Sequence, residues 1–268
     1  MTIASQRRTE AVDAWGRRLT LRFEIEGSGP PLLYLHPAGG MLWDAFLYRL
    51  AERFTIYAPI LPGTDLADTM AIHQLDDIHE LVLAYEGALR SLGIGDAPVI
   101  GQSFGGMLAA ELAVTFPGLF SRVVLLAPLG LWDKSAPWDL DFMTTPPDAL
   151  PGLLFKDPEC EGAQSIFRPP DSPDQALDNT VRSIWALGCV AKFLWPVPDR
   201  GLSRRLHRLI DPTLIIWGQD DALIPVSYAQ AYRQLIPHSR IEIIPDCGHI
   251  PQLEKIEITA RFVDEFLK

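Results

Sequence analysis

The chain is short of positive charge, short of cysteine and free of long apolar runs, and each shortage argues against a class of function. Lysines and arginines number 23 against 34 aspartates and glutamates, a formal net charge of -11. That balance speaks against a nucleic-acid or anionic-membrane partner. The densest basic stretch, Arg200 to Arg208, is brief and mixed with leucines, and is read as a solvated helix face. The three cysteines, Cys160, Cys189 and Cys247, are odd in number and far apart. Reduced, mostly buried thiols fit this spacing; a disulfide framework or a Cys-x-x-Cys metal site does not. No apolar run approaches the length of a membrane span. Met1 to Glu10 is polar and lacks the apolar centre of a signal peptide. The expectation is a cytoplasmic protein, a monomer or homodimer, with no membrane partner.

What remains is ample for a globular enzyme. With 268 residues, 48% hydrophobic and 21% charged, the chain can bury the core of one large α/β domain, with or without an insertion. Leu19 to Gly27 alternates apolar and polar residues, the period of a half-exposed antiparallel strand, and Val12 to Trp15 can pair with it. Leu32 to His36 is a continuous apolar run, suited to a parallel strand covered on both faces. Further strands are expected at Phe54 to Ala58, around Val99 to Gln102, Ser121 to Ala127, Pro212 to Gly218 and Arg240 to Ile244. Helices are expected at Leu42 to Glu52, Leu75 to Leu92, Met107 to Ala113, Val226 to Leu235 and Pro251 to Lys268. This rhythm implies a mostly parallel, doubly wound eight-stranded sheet with helices on both faces.

From Pro128 the character changes. Residues 131–208 are rich in proline and in aromatics (Trp132, Trp138, Phe142, Phe155, Phe167, Trp185, Phe193, Trp195), with short helices such as Pro173 to Val190 and no αβ alternation. An inserted helical cap is expected there, between core segments 1–130 and 209–268. At least half of the tryptophans among them are expected to form the cap's own core.

Ligands of such sheets sit beyond the carboxyl ends of the strands, and four strand ends carry chemistry. They are His36-Pro37-Ala38-Gly39-Gly40, Gly101-Gln102-Ser103-Phe104-Gly105-Gly106, Asp220-Asp221, and Cys247-Gly248-His249. In Gly-x-Ser-x-Gly between a strand and a helix, the glycines remove side chains that would collide in so sharp a turn. With these motifs in the order serine, acid, histidine, the sequence resembles the α/β-hydrolase superfamily. The resemblance is to its capped serine-hydrolase branch of esterases and carbon–carbon bond hydrolases. It rests on Gly101 to Gly106, on Trp217-Gly218-Gln219-Asp220-Asp221-Ala222-Leu223-Ile224-Pro225, and on Gly248-His249. It runs nearly the whole length and is weakest over 131–208.

The resemblance implies a nucleophile at Ser103, a base at His249 that takes the hydroxyl proton, and an aspartate that orients the imidazole. The family spacing Gly-x-x-Asp-x-x-x-Pro, set on Gly218 and Pro225, favours Asp221 over Asp220. It also implies oxyanion donors at the backbone N–H groups of Phe104 and Ala38. Here the chain departs from the pattern, since Pro37 replaces a glycine and brings a fixed φ and no N–H. The helix after Ser103 adds its positive dipole end. His36, Gly39, Gln102 and Trp132 are candidates to touch substrate, although His36 also suits a loop brace. No metal and no organic cofactor is implied.

A serine nucleophile leaves ester, thioester and lactone hydrolysis or hydrolytic C–C cleavage of diketone-like, ring-cleavage products. An aromatic cap suggests a small apolar substrate, and a small carboxylic ester is the first expectation. C–C hydrolysis is the second. A ligand-binding receptor on a hydrolase scaffold is the alternative from another class.

Overall fold

The computed structural model describes residues 7–133, 136–137, 145–146, 148–168, 170, 172–194 and 200–268. The strands are β1 (Arg8–Ala14), β2 (Leu19–Gly27), β3 (Pro31–Leu35), β4 (Thr55–Pro59), β5 (Val99–Gln102), β6 (Val123–Leu126), β7 (Thr213–Gly218) and β8 (Arg240–Ile244). They form an eight-stranded sheet in the order β1-β2-β4-β3-β5-β6-β7-β8. β2 is antiparallel to both neighbours, and every pair from β4 onward is parallel. The strand order reverses between β3 and β5, where such sheets open their ligand crevice.

Side-chain alternation divides the core into two layers. Along β6, Val123 and Leu125 face one layer while Val124 and Leu126 face the other. The first layer holds α2 (Ile78–Leu92), α3 (Phe104–Thr115) and α7 (Ser227–Leu235). The second holds α1 (Ala45–Ala51) and α9 (Ile256–Phe266). Phe104 to Val114 of α3 are all buried, which explains why that stretch, Glu111 apart, is apolar all round.

Several boundaries differ from the sequence expectation for local reasons. The first helix starts at Ala45 rather than Leu42, because the Asp44 carboxylate accepts the Leu47 N–H at 2.9 Å. Asp77 likewise caps α2, through the N–H groups of His79 and Glu80. The last helix divides at Lys255 into α8 (Pro251–Glu254) and α9.

Between β6 and β7 lie α4 (Leu150–Leu154), α5 (Glu161–Phe167) and α6 (Pro173–Leu194). Helix α6 runs four residues beyond the expected Val190. Its buried residues Val190, Phe193 and Leu194 pack into the main core, and Phe193 stacks on Phe104 at 6.3 Å. Trp138, Phe142 and Trp195 lie outside the described residues. The stretch Arg200 to Arg208 is not a solvated helix face. It is turns and a short 3-10 segment, and the Arg205 guanidinium donates to buried Glu111 of α3 at 2.7 Å. A carboxylate in an apolar helix needs such a partner. No helix among the described residues is long and apolar enough to cross a membrane.

Candidate active site

Ser103 stands at the turn from β5 into α3 with φ 54 and ψ -113, a strained conformation for a residue with a side chain. Its surroundings impose that turn. A Cβ on Gly101 would collide with the Gly105 carbonyl, and one on Gly105 would collide with the Leu35 carbonyl of β3. One on Gly106 would lie 2.8 Å from Pro128. The Ser103 N–H donates to the Leu126 carbonyl at 2.9 Å, and its own carbonyl accepts from Leu129 at 3.0 Å. Ser103 makes no side-chain cap on α3. Its hydroxyl instead lies 3.0 Å from His249 Nε2.

His249 follows β8 on the turn Cys247-Gly248-His249 and is 2% exposed. Its Nδ1 lies 2.8 Å from Asp221 Oδ2. Asp221 is fixed from four sides. Oδ1 accepts the N–H groups of Leu223 and Ile224 at 3.0 and 2.8 Å, and Oδ2 accepts Trp217 Nε1–H at 2.9 Å besides the histidine. Asp220 points elsewhere and pairs with Lys156 at 3.2 Å on a half-exposed surface. The contribution of Trp217 was not anticipated from the sequence. A strand residue four places before the acid was the available signal, and it reads equally well as core.

The segment between β6 and β7 locks the histidine turn from outside. The His249 N–H donates to the Leu154 carbonyl at 2.9 Å. Glu254 of α8 accepts the Gly248 N–H at 2.6 Å with one oxygen and the Asp157 N–H at 2.8 Å with the other.

A cavity of about 200 Å³ opens over Ser103 and His249. Ala38, Gly39 and Gln102 line it, with Leu150, Leu153, Phe167 and Leu187 as an apolar roof. Phe104 is the first residue of α3, so its N–H has no carbonyl within the helix to bond. The turn carrying Ala38 is closed by the Gly40 N–H on the Pro37 carbonyl at 3.2 Å. Two other expected residues stand apart from the cavity. Trp132 is half-buried against the main core. His36 is 4% exposed, with Nδ1 donating to the Pro37 carbonyl at 2.8 Å and Nε2 accepting the Leu61 N–H at 3.1 Å. Burial lowers its pKa to about 4, and with both nitrogens engaged to backbone it braces the loop as a neutral ring. A larger hollow lined by Arg49, Glu52, Arg53 and Glu254 contains none of Ser103, Asp221 and His249.

Residues 30–256 match the profile of the family described as the alpha/beta hydrolase fold. The chain belongs to that family. It is 24% identical over 250 residues to a pimeloyl-(acyl-carrier protein) methyl ester esterase of Nitrosomonas europaea, covering 87% of this chain and 94% of that one. It is 27% identical over 272 residues to a 2-hydroxy-6-oxononadienedioate/2-hydroxy-6-oxononatrienedioate hydrolase of Burkholderia vietnamiensis, covering 94% and 92%. The crystal structure of a membrane phospholipase A superposes with a TM-score of 0.78 at 21% identity, covering 97% of this chain and 86% of that one. The chain is therefore an enzyme, a hydrolase, similar both to a methyl ester esterase and to a 2-hydroxy-6-oxononadienedioate hydrolase.

Proposed function

We propose that this hydrolase cleaves a small, largely apolar carboxylic ester through an acyl-enzyme, with Ser103 as nucleophile, His249 as base and Asp221 as orienting acid. The observation that carries the reading is the unbroken buried line from hydroxyl to imidazole to carboxylate, 3.0 and 2.8 Å, at the floor of an apolar cavity. Ser103 Oγ attacks the ester carbonyl carbon while its proton passes to His249 Nε2. The C–O bond then breaks, and Nε2–H returns that proton to the leaving alkoxide. Water attacks the acyl-enzyme in the same way, His249 again taking and returning the proton, and the acid leaves with Ser103 restored. Asp221 balances the transient imidazolium. The N–H groups of Phe104 and Ala38 receive the oxyanion, with the α3 dipole behind them.

Residues 131–208 act as the cap in this reading, with α4, α5 and α6 excluding water from the acyl-enzyme. Gly39 and Gln102 border the bound ester. Hydrolysis of a C–C bond in a dienol acid would use the same relay. The ester is favoured because no lysine or arginine lines the cavity among the described residues to hold such an acid.

A panel of p-nitrophenyl esters, lactones and β-diketones tests this, run beside Ser103→Ala. Ester turnover lost in the variant supports the reading. A ring-cleavage dienol consumed much faster than any ester sinks it in favour of C–C hydrolysis. Stoichiometric ligand binding without turnover of any of these would make the protein a receptor.

A further inference from the structure

One end of the cavity over Ser103 carries hydrogen-bond acceptors to which the ester reading gives no donor, and a part for them in choosing the substrate rests on that reading. Tyr34 of β3, Asp44 at the start of α1, Gln102 of β5 and Gln252 of α8 all line it. Tyr34 lies opposite Ile100 in the sheet, so Gln102, two residues further on, shares its face. Gln102 and Gln252 are 0% and 2% exposed, and the side-chain oxygen Oε1 of each has no hydrogen-bond partner. Their orientation is set by neighbours. The Gln102 amide nitrogen donates to the His249 carbonyl at 3.3 Å, and the Gln252 side chain faces Tyr34, whose ionised form it favours. What is left unpaired in both is therefore an acceptor. Buried acceptors in folded proteins almost always find a donor, from protein, water or ligand.

Asp44 gives that end its charge. With His249 it is one of two ionisable side chains besides Tyr34 that line the cavity among the described residues. Nothing cationic faces it there apart from His249 during turnover. We propose that this end of the cavity is a subsite for a hydrogen-bond donor of the substrate, a hydroxyl or an ammonium group, and that Asp44 sets its selectivity against carboxylates. Burial pushes the Asp44 carboxyl up to about 6. A cation seated beside it relieves that burial and a second carboxylate deepens it. The carboxyl also caps α1, a role that asparagine fills equally well, so Asp44→Asn separates charge from capping.

The experiment compares esters of equal chain length ending in a hydroxyl, an ammonium or a carboxylate, with an unsubstituted ester as reference. The group is placed in turn on the acyl and on the alcohol side, and kcat/KM is measured near neutral pH. The hydroxyl and ammonium esters are expected to exceed the carboxylate by about tenfold or more on one of the two sides. In Asp44→Asn the ammonium-to-carboxylate ratio falls by about tenfold, while the hydroxyl ester loses less because the amide still accepts. A second variant, Gln252→Met, removes an acceptor at similar length and lowers the hydroxyl preference. A wild-type enzyme that cleaves the carboxylate ester as fast as the ammonium ester overturns the subsite. Ser103-dependent cleavage of the reference ester would leave the ester reading standing in that case. An unchanged ratio in Asp44→Asn overturns the role of Asp44. If no ester is cleaved, the ester reading falls, and calorimetric titration of Ser103→Ala with the same compounds still decides the subsite. Equal affinity for all of them overturns it.

Discussion

The loop after β3 and the turn after β8 each bury a histidine, His36 at 4% and His249 at 2% exposure, with both ring nitrogens engaged. The partners differ, and the difference separates a brace from the base proposed above. His36 meets a carbonyl and an N–H of the main chain, which together demand one neutral tautomer. A proton added to its Nε2 would face the Leu61 N–H and remove that bond's acceptor. His249 meets a carboxylate on one side and a hydroxyl on the other. In the proposed reaction a proton arriving at its Nε2 comes from that hydroxyl, and the charge it creates faces Asp221. Burial alone therefore does not mark a chemical histidine; the capacity of its partners to exchange or balance a proton does.

The largest effect expected from this contrast is at the β8 turn. His249→Ala and Ser103→Ala each lower kcat by about 10⁴-fold or more, and the double variant is no worse than either single one, because the two act as a unit. Steady-state kinetics on the best ester checks this, and additive losses would break the relay. Next, Asp221→Asn lowers kcat by about 10³- to 10⁴-fold, since the amide supports the wrong tautomer. Asp220→Asn, losing only an exposed pair with Lys156, changes kcat by about twofold or less.

At the β3 loop the expected loss is in stability. With its folded value at about 4 against 6.5 in the unfolded chain, His36 binds a proton more readily when unfolded. Its contribution is fully present above pH 6.5 and is lost as pH falls toward 4, on the order of 3 kcal/mol at the limit. Asp44 titrates in the opposite sense, its folded form keeping a proton up to about 6. The measurement is therefore the difference between wild type and His36→Gln in denaturant titrations across that range. The variant is destabilised at neutral pH and the gap narrows on acidification; a gap independent of pH would show that the ring is not buried neutral.

A milder loss of activity than that of the triad variants sharpens the comparison at the β8 turn. Glu254→Ala frees the Gly248 and Asp157 N–H groups and lowers kcat by about tenfold through misplacement of His249. Circular dichroism is expected to show the fold retained, and a loss confined to stability would make Glu254 purely structural.

What could be read in the sequence is what the backbone itself demands. The serine turn is legible because Gly101, Gly105 and Gly106 each face another stretch of chain too closely for a Cβ. The strands are legible because burial on one face or on two leaves a period of two or none, as in β2 and β6. Partners that arrive from distant elements leave no such trace. Trp217 reads as a core strand residue, Glu254 as one more helix acid, and Arg205 as one of several surface arginines, yet they hold Asp221, Gly248 and Glu111. Tyr34, Asp44 and Gln252 lie in three separate elements, and only their meeting at one wall of the cavity gives them a shared meaning.

The sequence by itself therefore determined the sheet, the order serine–acid–histidine at strand ends, and the family, because steric demands and periodicity are local and repeat along the chain. The tertiary structure decided how Asp221 is held against His249, why His36 is held neutral, and which buried acceptors border Ser103. Those outcomes depend on distances between residues far apart in the chain, and on the loss of water around them, which only the packed fold creates.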